Sequence, residues 1–337
     1  MKICSYISHA DLIPSQRLGI LLDDNRILDP NLCHALDYLR EGRYNPFNRA
    51  DDKLPPSLYS ILQLKDNPID SLLEAYGLFL FLEKVGDLEF PNGTGIVHNL
   101  NESELFSLTK PLDKISTYRD FYAHEKHVKK GFEKRKEVVP KAWYEIPAYY
   151  KGATEGFIGP NEEILWPHYT NILDYELELA VVIGKGGFNI KESNALEHIF
   201  GFTILNDVSA RDIQKKEMSV RLGPAKGKDF CSVIGPVIAT IDEFNNKEPN
   251  LLMTASINGN EWSRGQSGDS HYTFQEMITH VSKDEWVIPA DLFGSGTVGT
   301  GCGLELDRWI KEGDTIEMTV EGIGTLTNTI GQKNALI

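Results

Sequence analysis

Asp174-Tyr175-Glu176-Leu177-Glu178-Leu179 places a carboxylate at every second position, and the uncharged run Ala180-Val181-Val182-Ile183 follows at once. The alternation predicts a strand with Asp174, Glu176 and Glu178 on one face and Tyr175, Leu177 and Leu179 on the other. Alternate residues of a strand lie roughly 6.5–7 Å apart, so two such carboxylates can lean toward one hard cation. A solvated acidic edge is the ordinary meaning of an E-x-E. The apolar run argues against it here, because a buried strand does not open on three bare carboxylates unless something pairs them.

Two other stretches carry chemistry-bearing side chains. Gly201–Gln214 reads as a strand that ends in Asn206-Asp207 and passes into a helix, with Ser209 as the expected N-cap and Arg211 and Gln214 sharing a face. Gly223-Pro224-Ala225-Lys226-Gly227-Lys228 is a loop whose turns can hold Lys228. Upstream, Tyr118–His127, read as a helix, puts Asp120, His124 and His127 at i, i+4 and i+7. A charged helix face is one meaning, and a zinc site built from Asp120, His124 and His127 is its rival. The other candidate ligands are carboxylates, which favour Mg²⁺, Ca²⁺ or Mn²⁺ over zinc. Lys126–Glu137 is a basic island, either solvated surface or a lip that attracts a polycarboxylate.

The elements that must position these groups are short and strand-rich. Lys2–Ile7 and Arg17–Leu28 read as strands, the second folding back at Asp23-Asp24-Asn25. Helices are predicted over Leu32–Arg40, capped by Asn31, and over Ile69–Lys84, Glu192–Phe200 and Thr273–Val281, while Asn45–Pro56 reads as a loop. Asn258-Gly259 signals a hairpin. Gly294-Ser295-Gly296-Thr297-Val298-Gly299 fits G-x-G-x-x-G, but no helix follows it, so the dinucleotide reading fails. There is no G-x-S-x-G and no phosphate loop. The pattern implies a β-rich α+β protein, divided near Pro111–Ile115 into a small mixed unit, 1–112, and a catalytic unit, 113–337.

With 49 acidic against 34 basic side chains the formal charge is −15, which excludes a general nucleic-acid binder. No apolar run approaches the ~18–20 residues of a membrane span, and no signal peptide is visible at the N-terminus. Cys4, Cys33, Cys231 and Cys302 are scattered without a C-x-x-C, which fits reduced thiols and a cytoplasmic location.

Asp174–Leu179, Asn206–Gln214 (N-D-V-S-A-R-D-I-Q) and Gly223–Phe230 (G-P-A-K-G-K-D-F) resemble, in order and spacing, the signature segments of the fumarylacetoacetate hydrolase family. Asp120-Phe121-Tyr122 followed by His127 is most similar to the longer, fumarylacetoacetase branch. The resemblance covers about 113–337, and the N-terminal part more weakly. It implies a small SH3-like N-terminal domain on a fumarylacetoacetase-like β-roll, assembled as a homodimer. It implies a divalent cation, Mg²⁺, Ca²⁺ or Mn²⁺, held by Asp120, Glu176, Glu178 and Asp207. His127 would be the general base, Glu305 its orienting partner and Lys228 a charge-stabilising catalytic group. Tyr122, Tyr150, Arg211, Gln214 and Thr297 would line the substrate pocket, and Lys228 and Ser232 would mark a second cation site. Met218 stands where the family has a substrate-contacting tyrosine.

The implied activity is hydrolysis of a carbon–carbon bond in a 1,3-diketo acid such as fumarylacetoacetate or an acylpyruvate. A chelated diketone is electrophilic, and a histidine–carboxylate pair activates water. A 2-oxo acid decarboxylase, hydratase or tautomerase is the second expectation, since the same metal cage serves such reactions in the wider family. A calcium-stabilised binding protein without catalysis is the third.

Overall fold

The computed structural model describes residues 1–9, 14–22 and 25–333. Its largest feature is a twelve-stranded sheet. The central path runs Val97–Asn99, Arg26–Leu28, Gln16–Leu21, Lys2–Ser8, Ser232–Thr240, Ile199–Asn206, Leu177–Ile183, Leu292–Gly294, Tyr118–Phe121, Tyr149–Gly152. Lys2–Ser8 pairs antiparallel with Ser232–Thr240, Lys2 opposite Ala239, so the first strand of the chain lies in the same sheet as the carboxylate strand. A second, five-stranded sheet runs Asn260–Gln266, Leu252–Ile257, Thr315–Val320, Gly324–Lys333, Glu163–Trp166. The architecture is mixed α+β and strand-rich.

Leu177–Ile183 explains how this sheet can carry buried acids. Every residue of it is buried. Leu177, Leu179, Val181 and Ile183 pack into a core shared with the five-stranded sheet, while Ala180 and Val182 pack into a second core. That second core is completed by Leu36, Ala50, Leu72 and Phe79 of the N-terminal helices. A strand covered on both faces excludes water along its length, and Glu178, on the Ala180 face, inherits that environment.

Several local expectations change. The carboxylate strand is interrupted: Leu173–Asp174 pairs with Ser209–Ala210, and the long strand begins only at Leu177. Tyr118–Phe121 is a strand, because it is hydrogen-bonded between Leu292–Gly294 and Tyr149–Gly152. Asp120 and His127 therefore sit on different elements, and His124 occupies the N-cap position of the helix Glu125–Arg135. Asp29, whose side chain accepts from Leu32 N at 2.8 Å, caps Pro30–Arg40; Asn31 bonds Asp51 and the Leu54 carbonyl. Pro46–Lys53 is a helix with proline in its first turn, disguised in sequence because it buries only Ala50. Glu192–His198 is a 3-10 helix that yields to the strand Ile199–Asn206. The helix after Asp207 starts at Arg211, and the Ser209 hydroxyl donates to the Asp207 carbonyl rather than capping it. Asn258-Gly259 forms the expected hairpin, with φ of 50° and 74°. The turn at Asp23-Asp24 lies outside the described residues. Among the described residues no helix is long and apolar enough to cross a membrane.

Candidate active site

Asp120, Glu176, Glu178 and Asp207 converge so that one carboxylate oxygen from each lies within 4.8 Å of the others, and all four side chains are buried. Asp120 comes from Tyr118–Phe121 and Glu178 from Leu177–Ile183; Asp207 follows Ile199–Asn206 directly. Glu176 sits at the interruption of the carboxylate strand, bridged to Cys302. Gly294 lies between two of the acids. A Cβ there would stand 2.5 Å from Asp120 Oδ1 and 3.0 Å from Glu178 Oε2, so glycine is required for the carboxylates to close up.

Each acid is positioned by particular donors. Glu178 accepts from the Gly296 backbone at 3.0 Å and the Thr297 hydroxyl at 3.3 Å, which is the use this fold makes of its G-x-G-x-x-G segment. Asp207 accepts from the Tyr150 hydroxyl at 2.8 Å. Ser232 and Lys228 converge on the two oxygens of Asp207, and Lys228 Nζ also reaches Glu176 Oε2 at 2.6 Å. Arg211 reaches Glu176 Oε1 at 2.7 Å and Gln214 at 3.0 Å, and clasps Asp174 through Nε and Nη2.

Asp174, which the sequence pattern groups with Glu176 and Glu178 on one strand face, lies outside the four-acid cluster. Its oxygens also accept from the Gly303 and Leu304 backbone at 2.8 and 3.0 Å, tying Arg211 to the short helix Gly303–Leu306. That helix presents Glu305, whose Oε1 lies 2.6 Å from His127 Nδ1 while its Oε2 accepts from Thr300 N at 3.0 Å. The tautomer placing a hydrogen on Nδ1 leaves Nε2 as the free base nitrogen. Tyr122 packs edge-on against the His127 ring, centroids 5.3 Å apart, and burial pushes its phenol up to about 12. Met218 is half-exposed, two turns beyond Arg211 on its helix. His124 belongs to neither acid cluster.

The electrostatics match a missing positive charge. The four cage acids and Asp174 make five carboxylates against two cations, Arg211 and Lys228, a formal balance of −3. Burial and then the Asp207 charge drive the Asp120 carboxyl far above its usual range. Burial and then Asp120 do the same to Glu178. Burial opposes ionisation of Glu176 as well, but Arg211 and Lys228 prevail and hold it below the normal range. Asp120 Oδ1 is buried without a hydrogen-bond partner among the described residues. An all-oxygen donor set, an orphaned carboxylate oxygen and a negative balance together fit a hard divalent cation.

The basic island does not form an open cationic lip. Lys129 pairs with Glu125 at 2.9 Å, Lys130 with Glu133 at 3.1 Å, Arg135 with Glu137 at 3.0 Å, and Lys126 and Lys134 pair with Asp269 and Asp307. Such exposed pairs spend their charge locally.

A buried carboxylate cage beside a histidine–carboxylate pair, on a strand-rich α+β frame, is an arrangement able to hold a divalent cation and to move a proton. The family model for the fumarylacetoacetate (FAA) hydrolase C-terminal region matches residues 116–331, and the chain belongs to that family. It is 38% identical over 324 residues to the oxaloacetate tautomerase YisK of Bacillus subtilis (strain 168), covering 93% of this chain and 96% of that protein. It superposes on a fumarylacetoacetate hydrolase from psychrophilic Exiguobacterium antarcticum with a TM-score of 0.67 at 22% identity, over 99% of this chain and all of that one. It also superposes on a fumarylpyruvate hydrolase from Pseudomonas aeruginosa, solved with Mn²⁺ and pyruvate, with a TM-score of 0.56 at 20% identity, over 67% and 92% of the two chains.

Proposed function

We propose that this chain moves a proton between carbon and oxygen of a small 2-oxo dicarboxylic acid of the oxaloacetate type, interconverting its keto and enol forms. The observation that carries the reading is the buried His127–Glu305 pair, 2.6 Å apart, set beside the carboxylate cage. A likeness of 38% along 96% of an oxaloacetate tautomerase supports the choice of reaction. A divalent cation held by Asp120, Glu176, Glu178 and Asp207 would polarise the 2-oxo group and make the adjacent C–H acidic.

His127 then takes the C3 proton on Nε2 and returns it to the 2-oxo oxygen, so that no water is consumed. Glu305 keeps the other ring nitrogen hydrogen-bonded and stabilises the imidazolium between the two transfers. Lys228 and Arg211 hold Glu176 ionised, and Lys228 holds Asp207 in place. Tyr122, packed on the imidazole, excludes water from one side of the ring.

Hydrolysis of a 1,3-diketo acid is the second reading, favoured by the family match and available to the same base acting on water. The two are separated by giving the protein oxaloacetate, fumarylacetoacetate and an acylpyruvate in parallel. The expected result is faster decay of the oxaloacetate enol absorbance without release of pyruvate, and slow or no cleavage of the diketo acids. Acylpyruvate cleavage with no effect on oxaloacetate enolisation would replace the first reading by the second.

A further inference from the structure

His127, Cys302 and Glu305 each offer a donor atom within 4.8 Å of the other two. Cys302 Sγ lies 3.7 Å from Glu305 Oε1, the same oxygen that meets His127 Nδ1 at 2.6 Å. We infer that these three side chains form a second metal site, selective for a thiophilic ion such as Zn²⁺, which switches the enzyme off.

The donor types carry the first step. One thiolate, one imidazole and one carboxylate make a mixed set that Zn²⁺ prefers, whereas the neighbouring cage offers oxygen alone. The spacing carries the second. With Zn–ligand bonds of 2.0–2.3 Å, donors at the corners of a tetrahedron stand roughly 3.5 Å apart. The sulfur–oxygen separation is already 3.7 Å, and the histidine needs only a small outward shift. The donors come from two separately anchored pieces, Cys302 being the N-cap of the short helix that carries Glu305. His127 is on the helix Glu125–Arg135, Cys302 is bridged to Glu176, and Glu305 is tethered by Thr300 N. Three protein ligands leave a fourth position for water. His124, at the N-cap of the helix that carries His127, is buried, and neither of its ring nitrogens has a partner among the described residues.

When the ion binds, Cys302 gives up its thiol proton, and the hydrogen between His127 Nδ1 and Glu305 is displaced to Nε2. Nε2 then carries a hydrogen and can no longer accept one from carbon. Inhibition follows only if His127 is the base of the proposed reaction; binding does not depend on that.

The test adds Co²⁺ to the full-length protein in excess Mg²⁺, which occupies the oxygen cage. The expected result is a near-ultraviolet thiolate-to-cobalt band that saturates at one ion per chain and is bleached by Zn²⁺. The band should vanish in Cys302→Ser and persist in Cys33→Ala, whose cysteine is buried in the helix-side core. Absence of the band in the wild type, or its survival in Cys302→Ser, would overturn the site. Should Cys302→Ser not fold, Glu305→Gln serves, with Co²⁺ affinity expected to fall about tenfold or more. Zn²⁺ should inhibit oxaloacetate enolisation, with potency about tenfold lower in Cys302→Ser. Equal potency in both proteins would overturn the regulatory role. If no protein turns over oxaloacetate, the functional reading fails, and the cobalt band alone decides the site.

Discussion

His124 is 2% exposed, and neither of its ring nitrogens has a partner among the described residues. Burial, then the neighbouring His127, lowers its pKa to about 4 from an ordinary 6.5; Asp269 and Glu305 pull the other way, and Lys126 adds a little to the lowering. The folded state thus binds this proton less readily than the unfolded state. Its contribution to stability is complete above pH 6.5 and is lost as pH falls from 6.5 through 4. A difference of 6.5 − 4 = 2.5 units corresponds to a limit of about 3.4 kcal/mol, of which about 3 kcal/mol is already lost at pH 4. His124→Leu removes the titrating group and both orphaned nitrogens while keeping an apolar side chain in the space. Urea unfolding of wild type and variant in saturating Mg²⁺, from pH 8 to pH 4, cancels the other titrating groups in the difference. The wild type should lose about 3 kcal/mol relative to the variant across that range, with most of the loss below pH 6. Two curves that stay parallel to within about 0.5 kcal/mol would mean that His124 is solvated or paired in solution, and the reasoning from its burial would fail.

Four other expectations follow from the same geometry. His127→Ala should lower turnover about 10²–10⁴-fold with divalent-metal content unchanged, and Glu305→Gln should act in the same direction; steady-state kinetics beside elemental analysis reads both. Removing divalent cations with EDTA should lower the unfolding temperature, and a cation at a hundred times its dissociation constant should restore about 2.7 kcal/mol, measured by thermal unfolding against Mg²⁺ and Mn²⁺ concentration. Lys228→Met strips Glu176 and Asp207 of a shared buried partner and should cost about 3–5 kcal/mol in urea unfolding, part of it recovered by added cation. Met218 lies seven residues from Arg211, about 10 Å along the helix axis, too far to meet a four-carbon acid held near Arg211. Met218→Tyr should therefore leave kcat/KM for oxaloacetate unchanged and raise it for longer acyl substrates; a change for oxaloacetate would place residue 218 nearer the cage.

Residue type and short-range alternation made Glu176 and Glu178 readable as candidates, because a carboxylate beside a long apolar run demands a partner wherever the chain goes, whereas Asp207 enters the ligand set through the resemblance. Asp120 joins the other three acids only through the resemblance; spacing alone offered it to a zinc site with His124 and His127. Its own element was read as a helix because four residues, Tyr118–Phe121, are too few to display a period, and the true helix starts just after them. The strand exists because two distant segments hydrogen-bond to it, which is tertiary information. The polar loop Asn45–Pro56 failed for the opposite reason: its helix has hardly any apolar face to betray it.

What the pattern could not supply was pairing. Asp174 belongs to the same D-x-E-x-E as the cage acids, yet Arg211 and the Gly303–Leu304 amides claim it, and the latter lie about 130 residues away in sequence. Lys126 and Lys134 belong to a basic island, yet Asp269 and Asp307 absorb their charge from the far end of the chain. In both cases the local charge run misstates the local field. The field at the cage depends on which acids keep a cation of their own once the chain is folded. Glu176 and Asp207 share Lys228, and Glu176 also has Arg211, whereas Asp120 and Glu178 face each other with neither. The side of the cage formed by Asp120 and Glu178 is therefore where a cation relieves the most repulsion. Neutralising Glu178 as glutamine should weaken Mg²⁺ binding more than it weakens the apo fold, because without a cation burial and the facing Asp120 charge already oppose ionisation of that carboxyl.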